Sequence, residues 1–114
     1  MTLTPAAPGT AEFVIAEHIA RRYRVLFAVR IDGESMAPEI RHGDVVILSP
    51  SVPAEPGRPA LVQLVDQIGV TCKLIRFDGD RIHLIPINES FPPTSHRQVE
   101  LVWALKVIAR VRPV

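Results

Sequence analysis

Two residues of this chain have the types and settings from which covalent chemistry can be built: Lys73 and Ser35. The sequence writes eleven of its positive charges as arginine and only two, Lys73 and Lys106, as lysine. Lys73 stands inside the apolar run Gly69–Phe77 (GVTCKLIRF). An arginine there would never release its proton, whereas a lysine can. The ordinary lysine pKa near 10.4 leaves about one molecule in a few thousand neutral at pH 7. Burial lowers that value by up to about 3–5 units, enough to make the amine a working base. The same residue also fits a plainer role, with its stem on a sheet and its head in water. Ser35 follows Gly33 at the end of an apolar stretch. A serine at such a bend presents a hydroxyl and a backbone N–H together, the pair needed for a nucleophile and an oxyanion donor. A serine just after a glycine is equally at home as a turn or capping residue.

Other combinations are weaker. His42 and Asp44 lie near Ser35 in sequence, but a base seven residues along the same turn is poorly placed for a Ser/His/Asp triad. Cys72 with His83 would make a thiol pair. On a strand, however, Cys72 faces away from Lys73 and reads as a small core residue. His18, His42, His83 and His96 show no zinc-ligand spacing, so no metal is expected.

The elements that must position these groups are mostly strands. Tyr23, Val25, Phe27, Val29 and Ile31 alternate with polar residues, the period of a half-buried strand stopped by Gly33. Ser35–Arg41, with Pro38 near its start, reads as one helical turn closed by Gly43 and Asp44. Val45–Leu48 is a short apolar strand. Ala60–Val65 and Val70–Phe77 form a hairpin around 67–69, and the Asp-Gly-Asp at 78–80 turns into a second hairpin strand at Arg81–Ile85. Residues 50–59 and 86–93 are proline-rich connections, and Val99–Val111 is one long strand or two short ones. Residues 12–22 fit a short helix or an irregular arm. The fold class is therefore mostly β, with at most one or two short helices. No βαβ alternation supports a nucleotide-binding crevice.

At 114 residues the chain has room for one core, divided as an N-terminal arm (1–22) and a domain (23–114). Nearly half the residues are apolar, 22% are charged and the net charge is +1, which argues against disorder and offers no basic tract for nucleic acid. Cys72 is the lone cysteine, so no internal disulfide forms and a reducing cytoplasm is expected. The N-terminus has no secretion-signal pattern, and no apolar run nears the roughly 20 residues of a membrane span.

The ordered segments GESMAPEIRHGDVVI, VTCKLIR and IHLIPINESFPP (residues 33–47, 70–76 and 82–93) resemble the catalytic domain of the LexA, UmuD and lambda-type phage repressor family of serine peptidases. That family's pattern is Gly-x-Ser-Met, an x-Gly-Asp turn, Val-x-x-Lys and a Pro-x-Asn loop, and the match covers about residues 25–112. The resemblance implies LexA- and signal-peptidase-like twisted sheets and hairpins. It implies Ser35 as nucleophile and Lys73 as neutral general base. Met36 would pack beside the serine, with the Ser35 or Met36 amide holding the oxyanion. Gly33, Gly43 and Asp44 would form the structural turn, and Asn88 would be structural. Hydrolysis would proceed through an acyl-serine without cofactor or metal. It further implies a dimer, closest in length to processed UmuD, acting in the DNA-damage response with a RecA filament or a translesion polymerase as partner. Two departures follow. About 34 residues precede Ser35, too few for a helix-turn-helix DNA-binding domain, and neither Ala-Gly nor Cys-Gly, the family's usual self-cleavage dipeptides, occurs in the chain. Cleavage of another protein, or a non-proteolytic interaction module that keeps the fold, are the alternatives. The apolar segment VELVWALKVIARVR (99–112) is expected to pair two copies and bury Trp103, Leu105 or Val107, whichever faces outward.

Overall fold

The computed structural model describes the backbone of residues 3–5 and residues 25–114. The arm or helix expected over 12–22, together with Tyr23 and Arg24, lies outside the described residues. Two antiparallel sheets make the architecture. The smaller runs β1-β2-β3-β9, from Leu3–Pro5, Phe27–Arg30, Val45–Leu48 and Ala109–Val111. The larger runs β7-β6-β5-β4-β8, from Thr94–Arg97, Arg81–Ile85, Thr71–Asp78, Pro59–Leu64 and Leu101–Lys106. The only helical element among the described residues is a 3-10 turn at Gln98–Glu100.

The strands follow from alternation and β-branching. In β2 and β3, Val29, Val46 and Leu48 point to one face, while Ala28, Val45 and Ile47 point to the other with Val111. Both faces of β3 are therefore buried, which is why it reads as an unbroken apolar run. The first face meets Leu61 and Cys72 of the larger sheet, and Ile31, Met36 and Ile40 fill the space between them. This shared core fixes the position of Met36 against that of Cys72, and so of their neighbours Ser35 and Lys73. The opposite face of the larger sheet buries Ala60, Val62, Leu64, Ile75, Ile82 and Leu84. The proline-rich segment before β4 is pinned to that sheet. Ala54 N–H donates to the Ala104 carbonyl (3.0 Å), Lys106 N–H to Val52 (3.1 Å) and Gly57 N–H to Ile75 (3.1 Å).

Two expectations need correcting, the Ser35–Arg41 turn and the outward face of the C-terminal segment. Ser35–Arg41 is not a helical turn but a run of tight turns. Its bonds, Ala37 N–H to Glu34 and Ile40 N–H to Met36, close two overlapping turns of different size without propagating. Residues 86–93 are the irregular connection expected, and just beyond them lies a strand, β7, which its polar sequence Thr-Ser-His-Arg conceals. The C-terminal segment takes the second of its two expected forms, two short strands, one at an edge of each sheet. Trp103, Leu105 and Val107 pack inward against the shared core, so the side chain that β8 turns outward is Val102 (56% exposed).

Candidate functional site

Ser35 lies in a loop, residues 32–42, whose ends are tied together. Ile31 N–H donates to the Asp44 carbonyl (2.8 Å) and Gly43 N–H to the Ile31 carbonyl (2.9 Å). Gly33 and Gly43 flank the loop with φ of 98° and 88°, a region that L side chains enter only with strain. Met36 and Ile40, 1% and 2% exposed, anchor the loop in the shared core. Asp44, 1% exposed, secures its base. Its Oδ2 accepts from Arg41 N–H (2.8 Å), and its carboxylate takes a two-pronged contact from Arg112, Nε to Oδ1 and Nη2 to Oδ2, each 3.0 Å. Burial pushes the Asp44 carboxyl up, but the Arg112 and Arg41 hydrogen bonds and the charges of Arg112 and Arg110 outweigh it and hold it below the usual carboxylate range.

Lys73 reaches this loop from β5. Its Nζ is 2.9 Å from Ser35 Oγ and 2.9 Å from Thr71 Oγ1. Burial of the amine lowers its pKa from the ordinary lysine value, with the neighbouring Cys72 opposing weakly. Both features are those a general base needs: reach to the hydroxyl proton, and a reduced cost of being neutral. Lys106, the other lysine, forms an ion pair with Glu55 (2.8 Å) instead.

The rival arrangements are not assembled. His42 Nδ1 accepts the Gly33 N–H (2.9 Å) and lies 3.4 Å from Asp32, while both oxygens of Asp44 are committed to Arg112 and Arg41. Cys72 is buried, and its thiol is pushed up to about 12, chiefly by that burial, so thiolate chemistry is disfavoured. His83 pairs with Asp78 (3.4 Å), and no group of three potential metal ligands occurs among the described residues.

Thr71 is the residue that sequence reading passed over. Its signal was positional, because residues two apart on a strand share a face and a hydroxyl there can steady the amine. Thr71→Val is nearly isosteric and removes that acceptor. It is expected to slow any Lys73-dependent reaction of Ser35 by roughly ten- to a hundredfold through misplacement of the amine. The pH midpoint should also fall, since an oxygen facing the ammonium favours the charged form. Rates within twofold of the parent and an unmoved midpoint would show that Thr71 is a bystander.

An antiparallel β domain that carries a half-buried lysine to a loop serine has the build of a serine-peptidase-like domain. A family model described as Peptidase S24-like matches residues 4–112, and the chain belongs to that family. The LexA repressor of Herpetosiphon aurantiacus is 38% identical over 64 residues, 55% of this chain and 30% of that protein. The LexA repressor of Desulfatibacillum aliphaticivorans is 32% identical over 77 residues, 67% and 37% of the two chains. An HTH-type transcriptional regulator for conjugative element R391 from Providencia rettgeri is 31% identical over 71 residues, 58% and 33%. The matched part spans about a third of the length of these relatives. No helix among the described residues is long and apolar enough to cross a membrane.

Proposed function

We propose that this domain is a serine peptidase working through a Ser35–Lys73 dyad, cleaving itself or another protein. The observation that carries this reading is the 2.9 Å contact between Lys73 Nζ and Ser35 Oγ at a lysine whose pKa burial has lowered. Ser35 Oγ adds to a peptide carbonyl carbon as its proton passes to Lys73 Nζ, and the carbonyl π pair moves onto oxygen. Collapse of that oxyanion breaks the C–N bond, and the leaving amine takes the proton from Lys73. Water then releases the acyl group by the same route reversed. No cofactor or metal takes part. We take residues 23–114 as the peptidase domain and 1–22 as an arm whose Leu3–Pro5 adds the edge strand β1.

The relatives named LexA repressor and HTH-type transcriptional regulator support a role in bacterial gene regulation. Within that role we place the domain in the cytoplasm, in the DNA-damage (SOS) response, with a RecA filament or a translesion polymerase as partner. The test of the dyad is a fluorophosphonate reagent followed by mass spectrometry of a digest. One adduct on Ser35, absent from Ser35→Ala, is expected. No adduct at all would leave the non-proteolytic interaction module.

We also propose that the domain is a homodimer. β9 is the last strand of the smaller sheet, so its outer side offers a backbone ladder to a second copy. The corresponding edge of β8 is already bridged at Leu105 by Pro53. Sedimentation at micromolar concentration is expected to give about twice the chain mass, and a monomer throughout would remove the assembly but not the dyad.

A further inference from the structure

Asn88 sits 53 residues beyond Ser35, yet it holds the serine loop by two hydrogen bonds. Its main-chain N–H donates to the Ser35 carbonyl (3.0 Å), and its side-chain Nδ2 donates to the Glu34 carbonyl (3.1 Å). The side chain is itself fixed, because Oδ1 accepts the Ser90 N–H (3.0 Å) and the Asn88 carbonyl accepts the Phe91 N–H (3.1 Å). Among the described residues, neither Ser35 N–H nor Met36 N–H donates to a partner. A trans peptide is planar, with its C=O and N–H pointing in opposite directions. Holding the Glu34 carbonyl therefore aims the Ser35 N–H, and holding the Ser35 carbonyl aims the Met36 N–H. Since both carbonyls converge on one residue, both amides are turned to the side away from the 86–91 loop.

We infer that Asn88 is a positioning residue for the two amides that receive the developing oxyanion, a role that rests on the serine-peptidase reading. Preorganised donors of this kind act only if their direction is set before the reaction. Asn88 sets it from behind, through the carbonyls of the same two peptide units. The Ala37 N–H that also reaches the Glu34 carbonyl (3.1 Å) comes from within the turn and cannot anchor it to the sheet.

Asn88→Asp is the decisive variant. It keeps the shape, the main-chain donor and the Oδ1 acceptor, but it turns an anionic oxygen toward the Glu34 carbonyl. With a fluorophosphonate reagent, Ser35 Oγ attacks phosphorus, Lys73 accepts the proton, the P–F bond breaks and fluoride leaves. The plateau rate of this reaction is expected to fall at least tenfold. The pH midpoint of Asn88→Asp is not diagnostic, because the added carboxylate favours the Lys73 ammonium, so the midpoint is read on the neutral Asn88→Ser. Glu89→Ala in the same loop should keep the parental plateau. Asn88→Ser, too short to reach the Glu34 carbonyl, must show the same fall in plateau at the parental midpoint. A plateau within twofold of the parent in either variant overturns the role, as does a fall in Asn88→Ser matched by a shifted midpoint, which marks general loosening of the loop. A parent protein that does not react at all removes the serine-peptidase reading and this role with it. A reactive parent with an unaffected Asn88→Asp removes this role alone.

Discussion

Replacing Lys73 by methionine is expected to slow phosphonylation of Ser35 by about 10²–10⁴-fold while making the folded protein more stable at neutral pH. The two effects have one cause. Lys73 is half-buried, and burial lowers its pKa, so the folded chain releases this proton at lower pH than the unfolded chain does. Between the two values the unfolded state binds more protons, and stability rises with pH across that window. Below the folded value the cost of holding the ammonium out of water is present in full. Methionine has a similar volume and no charge to desolvate, so it removes that cost. It also removes the one group that, among the described residues, contacts the Ser35 hydroxyl. In the parent, the reaction rate should rise with pH as Lys73 deprotonates, with a midpoint below the ordinary lysine value of about 10.4. Lys73→Arg should not restore the rate, because guanidinium stays charged. Rates by mass spectrometry and unfolding curves at pH 7 check both halves. A methionine variant that reacts at the parental rate, or a parental midpoint at or above about 10, would remove Lys73 as the base.

Much of this site is legible in the sequence, and the parts that are not share a physical reason. Lys73 stands out because an arginine-biased chain places a lysine in an apolar strand, and the ordered family segments single out Ser35. Val45–Leu48 is read correctly because a strand buried on both faces is a continuous apolar run. β7 is missed because Thr94–Arg97 is a largely exposed edge strand whose pairing to β6 is made by backbone, leaving no apolar period to find. The helical turn assigned to Ser35–Arg41 fails because local preference is overridden by contacts from elsewhere: the Ile31–Gly43–Asp44 closure, the buried Met36 and Ile40, and Asn88 from across the fold. The C-terminal strands are recognised, but not which way they face. Alternation separates Val102 from Trp103 without saying which side meets the core. Asn88 belongs to a recognisable loop, yet its work is done through carbonyl groups, which every residue possesses and no sequence displays.

The second large effect concerns the base of the serine loop. Asp44→Ala is expected to destabilise the domain by about 2–4 kcal/mol, from the loss of charge-assisted hydrogen bonds at a buried site. For a domain of this size that lowers the unfolding temperature by about 10 °C or more. Asp44 joins three parts of the chain: its own turn, through Arg41 N–H, the C-terminus, through Arg112, and the residue after β2, through the main-chain bond its carbonyl accepts from Ile31. Removing the carboxylate leaves the Arg41 amide without its acceptor and frees the segment after β9, so the base of the Ser35 loop keeps its main-chain closure but loses its side-chain brace. Arg112→Ala acts differently, because it leaves a buried carboxylate with the Arg41 amide alone. That carboxyl should then rise, since only the Arg41 hydrogen bond and the Arg110 charge are left to oppose its burial. The pH dependence distinguishes this account from general damage. In the parent, the Asp44 carboxyl is held below its unfolded value, so its contribution is whole above about pH 4 and is lost as the pH falls through the folded value. The stability gap between parent and Arg112→Ala should therefore be widest near neutrality and narrow as the pH drops below about 4. Urea unfolding at a series of pH values measures it. A gap that is constant with pH would mean that Arg112 stabilises the fold by packing its stem, with the ion pair contributing nothing.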